Sequence, residues 1–385
     1  MKGDVSLKQF GVARGAAGAV SAGQAREDHE GSGAGRPGSL GRVLIDSHGR
    51  TIRDLRLSIT DRCNFRCVYC MDPDVRFADP RGLLTVAEMV RVVRACMALG
   101  VRNVRLTGGE PTVHPKLVEI IRGVAGLGVH DLAMTTNGSL CTRESMQKWK
   151  DAGLRRLTFS MDAVTPAVFT AMTRSHAGGG DKGGGVESVI AAIKLAIEEG
   201  FAPVKVNAVV IRGRNEREVP LLTKLAREMG FEMRFIEYMP LDSGHHWDRS
   251  LLVPAEEIVR LVGEGVEIVP LERVDAHSTS ETYVFADAPE GAGRIGIIAP
   301  VTRPFCGACS RLRITADGKI RPCLFSLQEH DLMGTLRGVS DVSAQDRERA
   351  LEDALLDAVW AKQKGHGISS ADFVQPDRPM SAIGG

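Results

Sequence analysis

Between residues 55 and about 236, short apolar runs alternate with stretches in which apolar side chains recur every three or four positions. LRLSIT is the first such run. TVAEMVRVVRACMALG then sets Val86, Met89, Val90, Val93 and Met97 at helical spacing and closes on Gly100. VRNVRLTGGEP reads as a strand running into a glycine turn. DLAMTTNG, LTFSMD, VKVNAVVI and FEMRFIEYM follow as further strands, with helical patterns in the intervals. Six βα units with right-handed crossovers predict a parallel sheet curled towards a barrel. Six units are too few to close an eight-stranded barrel, so the expected fold class is α/β, an open, partial β/α barrel.

HAGGGDKGGG, at 176–185, reads as a flexible insertion between helices. Beyond residue 240 the strands shorten (VEIVPL, ETYVFA, RIGIIAP), Gly and Pro punctuate them, and a last helix is expected around 343–363. The expected organisation is a disordered Gly/Ala-rich tail over 1–44, the barrel over 45–240, and an α+β extension over 241–385 that covers the barrel's open side.

Composition narrows the function without naming it. Of 385 residues 43% are hydrophobic and 25% charged, and 49 basic residues face 48 acidic ones for a net charge of +1. That balance exerts no long-range pull on nucleic acid or an acidic membrane, so an anionic ligand must be held by a local group of Arg and Lys. No apolar run approaches the roughly 18–20 residues of a membrane helix. The N-terminus has no secretory apolar core, and Asp4, Glu27, Asp28 and Glu30 fit a mitochondrial transit peptide poorly. A cytoplasmic location is expected ahead of the mitochondrial matrix. The eight cysteines are too sparse for a disulfide scaffold, and six of them fall in two groups of three, which points to metal in a reducing compartment.

Cys63, Cys67 and Cys70 follow C-x3-C-x2-C directly after a predicted strand. Structural zinc asks for four closed ligands, and no further Cys or His stands nearby; Asp61 and Asp72 are hard oxygen donors. Three thiolates on a four-iron cluster leave one iron open to bind something else. Cys306, Cys309 and Cys323 make a second set of three, C-x2-C-x13-C, and His330 lies beyond them at no zinc-finger spacing. Between these cysteines, alternation along a strand puts Arg311 and Arg313 on one face, and two forked cations suit a polyphosphate. Cys96 and Cys141 are expected to be bystanders, Cys96 as a small buried hydrophobe within a helix.

The first cysteine stretch, with Tyr69 as the aromatic of C-x3-C-x-aromatic-C, resembles the radical S-adenosylmethionine (SAM) superfamily. TGGEP at 107–111, about forty residues on at a strand end, is similar to that family's GGE motif. With LRLSITDRCNFRCVYCM, RLTGGEP, TTNG, KVN, RFIEYMP, FCGACSRLRITADGKIRPCLF and the terminal GG, the resemblance extends over residues 45–385 to the GTP 3′,8-cyclase family of molybdenum cofactor biosynthesis.

The resemblance implies two 4Fe-4S clusters, on Cys63, Cys67 and Cys70 and on Cys306, Cys309 and Cys323. It implies SAM contacts at Tyr69, Gly109, Ser160 and Met239, and GTP contacts at Arg56, Arg105, Thr136, Lys205, Arg311 and Arg313. It also implies that Gly384 and Gly385 form a double-glycine end reaching into the active site. In that family SAM is cleaved to methionine and a 5′-deoxyadenosyl radical, ribose C3′ loses a hydrogen, and C3′ joins guanine C8. Guanine ligates the second cluster. The implied partners are GTP, SAM, an electron donor such as flavodoxin or ferredoxin, cyclic pyranopterin monophosphate synthase downstream, and a second copy in a homodimer. One departure stands out. Asn103 occupies a position where the family often carries Lys, so a phosphate contact there is weaker or passes to Arg102. A peptide-modifying radical SAM enzyme with an auxiliary cluster and a non-catalytic iron–sulfur sensor are the competing classes.

Overall fold

The computed structural model describes residues 42–175, 184–288, 292–338 and 343–384. The expected N-terminal tail up to residue 41, most of the 176–185 insertion, and Gly385 lie outside these. Gly41–Gly385 make one compact unit.

The alternation read from the sequence is realised as six strands, each followed by helix. β1 (Asp54–Ser58) leads to α1 (Val86–Ala98), β2 (Asn103–Thr107) to α2 (Leu117–Ala125), and β3 (Asp131–Thr136) to α3 (Arg143–Asp151). β4 (Arg156–Ser160) leads to α4 (Pro166–Thr173) and α5 (Val186–Glu198), β5 (Lys205–Val210) to α6 (Val219–Met229), and β6 (Glu232–Glu237) to α7 (Ala255–Val262). The short strands β7 (Ile268–Leu271), β8 (Glu281–Phe285), β9 (Arg294–Ile298), β10 (Arg311–Ile314), β11 (Lys319–Arg321) and β12 (His330–Asp331) come next. Helices α8 (Met333–Arg337) and α9 (Ala344–Trp360) follow them.

All twelve strands belong to one sheet, ordered β12-β11-β10-β1-β2-β3-β4-β5-β6-β9-β8-β7, with β12 and β7 at its ends. The sheet is open. The six-unit expectation needs one refinement, because the extension also supplies strands to the parallel run. β10 pairs parallel with β1 and β9 pairs parallel with β6, so eight parallel strands stand side by side. Hydrophobic periodicity cannot show this, since it reports which residues are buried and not which distant strand lies alongside.

The apolar face of α1 is also rotated from the expected one. Met89, Val92, Val93 and Cys96 are buried, while Val86, Val90 and Met97 are only half-buried at its edge. Glu237, at the end of β6, joins the barrel to the extension. Fully buried, its carboxylate accepts from the backbone N–H of Ala255 at 2.9 Å, Val301 at 2.8 Å and Thr302 at 2.9 Å, which fixes the start of α7 and the loop after β9. A buried carboxylate with that many donors is satisfied, and the loop it holds runs on to Cys306.

Candidate active site

The C-terminal ends of the parallel strands open into one cavity. Its wall includes Cys63, Cys67 and Cys70 from the loop after β1 and Cys306, Cys309 and Cys323 from the segment around β10 and β11. Two cysteine triads separated by more than two hundred residues therefore face a shared space. Among the described residues no three His, Cys, Asp or Glu side chains converge as ligands on a single ion. A four-iron cluster is held differently, by thiolates on separate irons, so its ligands stand apart around a hollow. The chemistry of the donor set fits such a group: three soft thiols each, free of disulfide bonds, at the wall of a cavity.

The first triad is seated by the TGGEP turn. Gly109 donates its N–H to Thr60 O at 2.9 Å, and Glu110 donates to Arg62 O at 2.8 Å. A Cβ on Gly109 would lie 2.3 Å from Arg62 O, and one on Gly108, whose φ is +139°, 2.3 Å from Thr60 O. Only glycine allows so close an approach of two backbones. The Glu110 carboxylate, which sequence reasoning passed over, is a buried hub. It accepts from Thr112 N and Oγ1, Thr136 Oγ1 and Asn137 N, at 2.6 to 3.0 Å. Tyr69 donates its hydroxyl to Asp162 Oδ2 at 2.8 Å, and burial pushes the Asp162 carboxyl up to about 6. Burial likewise pushes the Cys63 and Cys70 thiols up to about 12. Metal coordination deprotonates such a thiol outright, so these two suit a buried metal group better than free thiolate chemistry.

The second triad sits among cations. Burial raises the Cys309 thiol, but Arg311 and Lys362 beside it more than offset this and bring it down to about 6. Arg311 also stacks its guanidinium 5.1 Å from the Phe305 ring centroid.

The same cavity is lined by a row of arginines. Strand register places Arg105 on β2, Arg56 on β1 and Arg313 on β10 side by side. All three line the cavity, as do Arg311 and Arg234. Arg105 donates to Thr158 Oγ1 at 2.9 Å, which holds its fork in place. Burial, followed by the neighbouring cations Arg156 and Arg234, lowers the Arg105 pKa to about 10, still far above neutral pH. So concentrated a positive charge calls for a polyanion.

Tyr69, Gly109, Ser160, Met239 and Thr136 also line the cavity. One anticipated contact falls elsewhere. Lys205 is absent from the wall and pairs with Glu232 at 2.9 Å, whereas Arg234, two residues further along β6 and not anticipated, takes a place on it. Asn103 donates to Asp54 Oδ1 at 2.8 Å, and neither it nor Arg102 reaches the cavity. Gly384 meets the site through its carbonyl, which accepts from Arg313 Nη1 at 2.5 Å. Cys96 and Cys141 lie off the wall.

Among the described residues no helix is long and apolar enough to cross a membrane. Two family models match the chain: the Radical SAM superfamily over residues 57–226 and Molybdenum Cofactor Synthesis C over residues 231–368. A GTP 3′,8-cyclase from Mycolicibacterium smegmatis is 39% identical over 365 residues, 94% of this chain and 97% of that protein. One from Streptomyces coelicolor is 42% identical over 346 residues, 89% of this chain and 96% of its own. Among solved structures, Streptococcus suis SuiB superposes with a TM-score of 0.54 at 15% identity, over 83% of this chain and 68% of that one. That likeness is one of fold.

Proposed function

The chain belongs to the GTP 3′,8-cyclase family of the radical SAM superfamily, and from that premise we propose how its own residues carry the reaction. The protein converts GTP to (8S)-3′,8-cyclo-7,8-dihydroguanosine 5′-triphosphate in molybdenum cofactor biosynthesis, with SAM and 4Fe-4S clusters as cofactors. The observation that carries the residue assignment is that both cysteine triads line one cavity together with a row of arginines.

Cys63, Cys67 and Cys70 hold the first cluster, and Cys306, Cys309 and Cys323 the second. When bound, the first cluster and SAM supply one-electron chemistry strong enough to take a hydrogen atom from a ribose C–H. The protein's part is to position the reactants. The Gly108–Gly109 turn brings backbone groups up to SAM, with Tyr69, Ser160 and Met239 at its sides, and the Glu110 hub keeps the turn from shifting.

Arg56, Arg105, Arg311 and Arg313 grip the triphosphate, with Arg234 added to the set and Thr136 near the Glu110 hub. Forked guanidinium groups match phosphate oxygens bidentately. Lys205, bound to Glu232, acts at one remove by lying beside Arg234. The apolar wall residues Phe65, Val209, Ile236 and Ile298 keep water from the reacting carbons. Gly384 closes the site, its carbonyl held by Arg313. The enzyme works in the cytoplasm as a homodimer, takes electrons from a flavodoxin or ferredoxin, and passes its product to cyclic pyranopterin monophosphate synthase.

Anaerobic incubation of the reconstituted protein with GTP, SAM and dithionite, followed by mass spectrometry of the nucleotide, tests this reading. A cyclised product isomeric with dihydro-GTP, formed with 5′-deoxyadenosine, is expected. SAM cleavage with unchanged GTP would overturn the substrate assignment.

A further inference from the structure

Lys362 is only 2% exposed, yet it carries an ammonium group. It lies just beyond α9 and lines the cavity beside the second cysteine triad. Its Nζ donates to Arg311 O at 2.7 Å and also to Pro322 O. These carbonyls belong to the residue two beyond Cys309 and the residue before Cys323, so one ammonium bridges the two stretches of chain that present those thiols. An ammonium has three donors, and two carbonyls leave one on the side of the cavity. Carbonyl dipoles do not neutralise a buried cation; burying one is costly without a negative charge at hand. Burial works against its charge and the nearby Arg311 and Arg50 repel it, so the groups that favour the ammonium are the sulfurs of Cys309 and Cys323 as thiolates.

The segment that carries Lys362 is fastened from a second direction. Arg50, 8% exposed, donates from Nη1 to Cys306 O at 2.8 Å and Lys364 O at 2.9 Å, and from Nη2 to Gln363 O at 2.7 Å. Its Nε is held by Asp46 Oδ2 at 2.5 Å, and Asp46 Oδ1 accepts from the backbone N–H of His48 and Arg50. His366 then fixes the far end, its Nε2 donating to Pro300 O at 2.7 Å while Nδ1 accepts from Ile368 N at 3.1 Å. Residues 362–366 are thus bolted to all three stretches that bear the second triad.

We propose that Lys362 is a positioning residue for the second cluster: a fixed buried charge, held in place through Arg50 and Asp46, that raises the cluster's reduction potential and draws its thiolate loops together. The proposal rests on the two-cluster reading above. A positive charge in a low-dielectric wall favours whichever state of its neighbour is more negative, and for an iron–sulfur cluster that is the reduced one. Groups outside the ligand set tune metal centres in this way by charge and hydrogen bonding.

The test uses the full-length, anaerobically reconstituted holoenzyme with Lys362→Gln and Lys362→Arg. Glutamine keeps a donor for the carbonyls but removes the charge; arginine keeps both. Iron and sulfide analysis gives occupancy, and a redox titration followed by electron paramagnetic resonance reads each cluster separately, without reference to turnover. In Lys362→Gln the reduction equilibrium of the second cluster should move at least tenfold towards the oxidised form, about 59 mV more negative for a one-electron couple. The first cluster should keep its potential, and Lys362→Arg should stay within about threefold of the unaltered protein. An unchanged second-cluster potential in Lys362→Gln overturns the proposal, and so does an equal shift in both variants. If Lys362→Gln loses the second cluster, retention in Lys362→Arg upholds the role of the charge and loss in both overturns it. Unaltered protein that binds only about four irons would instead sink the two-cluster reading itself.

Discussion

At the scale of single residues, Gly384 and Arg313 act as a pair. Gly384 has φ +71°, and a Cβ there would lie 2.6 Å from Thr107 Oγ1 and 2.7 Å from Ser58 Oγ. Both hydroxyls are buried and find no hydrogen-bond partner among the described residues. Alanine at 384 therefore suffers a disfavoured backbone conformation and a collision together. Arg313, on β10, donates to the Gly384 carbonyl and so ties it to that strand. Gly384→Ala and Arg313→Ala should therefore both cut GTP turnover at least tenfold while iron content and uncoupled SAM cleavage persist, and Arg313→Ala should weaken GTP binding as well, since Arg313 also belongs to the phosphate grip. Arg311, half-buried on the cavity wall, tests the phosphate grip apart from the Gly384 contact. Arg311→Ala removes a charge-assisted contact of about 1.5–3 kcal/mol and should weaken GTP binding roughly ten- to a hundredfold by equilibrium dialysis. GTP binding by Arg311→Ala as tight as that of the unaltered protein would remove it from the phosphate grip.

At the scale of elements, α1 shows how a local signal is built into the whole. Thr85 and Glu88 form a capping box, with Glu88 N–H donating to Thr85 Oγ1 at 3.3 Å and Thr85 N–H to Glu88 Oε2 at 2.7 Å. Arg337, at the end of α8, grips the same carboxylate at 2.7 and 2.9 Å and holds its pKa down at about 2. A carboxyl depressed from 4.5 contributes its stability in full above that value and loses it as pH falls towards 2, so the contribution is complete at neutral pH. With Arg337 more than a third exposed, water screens the pair, and cap and pair together come to about 1 kcal/mol. Hydrogen exchange at pH 7 should accordingly speed up about fivefold in the first turn of α1 in Glu88→Gln, and unchanged protection there would show the box to be idle. The strand–helix alternation and the two cysteine triads were legible in the sequence because each depends on residues close together in the chain. Arg234 and Lys362 were not. Arg234 reaches the cavity wall through the register of β5 and β6, and Lys362 through carbonyls some forty and fifty residues away. Lys205, which the resemblance implies as a GTP contact, pairs with Glu232, and no pattern local to its own strand names that acidic neighbour.

At the scale of the whole molecule, one segment of chain finishes both edges of the barrel. β9 extends the sheet beyond β6 and β10 extends it beyond β1, so the stretch between them, which carries Cys306 and Cys309, crosses from one edge of the barrel to the other. Because β10 also carries Arg311 and Arg313, sheet formation, the phosphate grip and the second triad depend on the same few residues. The first triad depends largely on a different set: its loop is held by Thr60, Arg62, the glycine turn, Met172 and Thr173, and the extension reaches it through Ser381 Oγ, which donates to Cys70 O at 3.2 Å. Assembly of the sheet should therefore be common to both clusters, while ligation should be separable. The reconstituted protein should bind about eight irons and eight sulfides, as two four-iron clusters. Changing Cys306, Cys309 and Cys323 together to Ala leaves β10 and its pairing with β1 in place, so iron should fall by about half and SAM cleavage under dithionite should continue. GTP cyclisation should stop, since the substrate would lose its anchor on the second cluster while keeping its phosphate contacts. Replacing Cys96 and Cys141 with Ala supplies the control, for Cys96 is fully buried in the core and neither residue lines the cavity, and iron should stay within about a tenth of the unaltered value. Loss of all iron from the Cys306, Cys309 and Cys323 variant would mean that the two clusters are one cooperative unit, and recovery of one zinc per chain at the second triad would replace the cluster there with a structural ion.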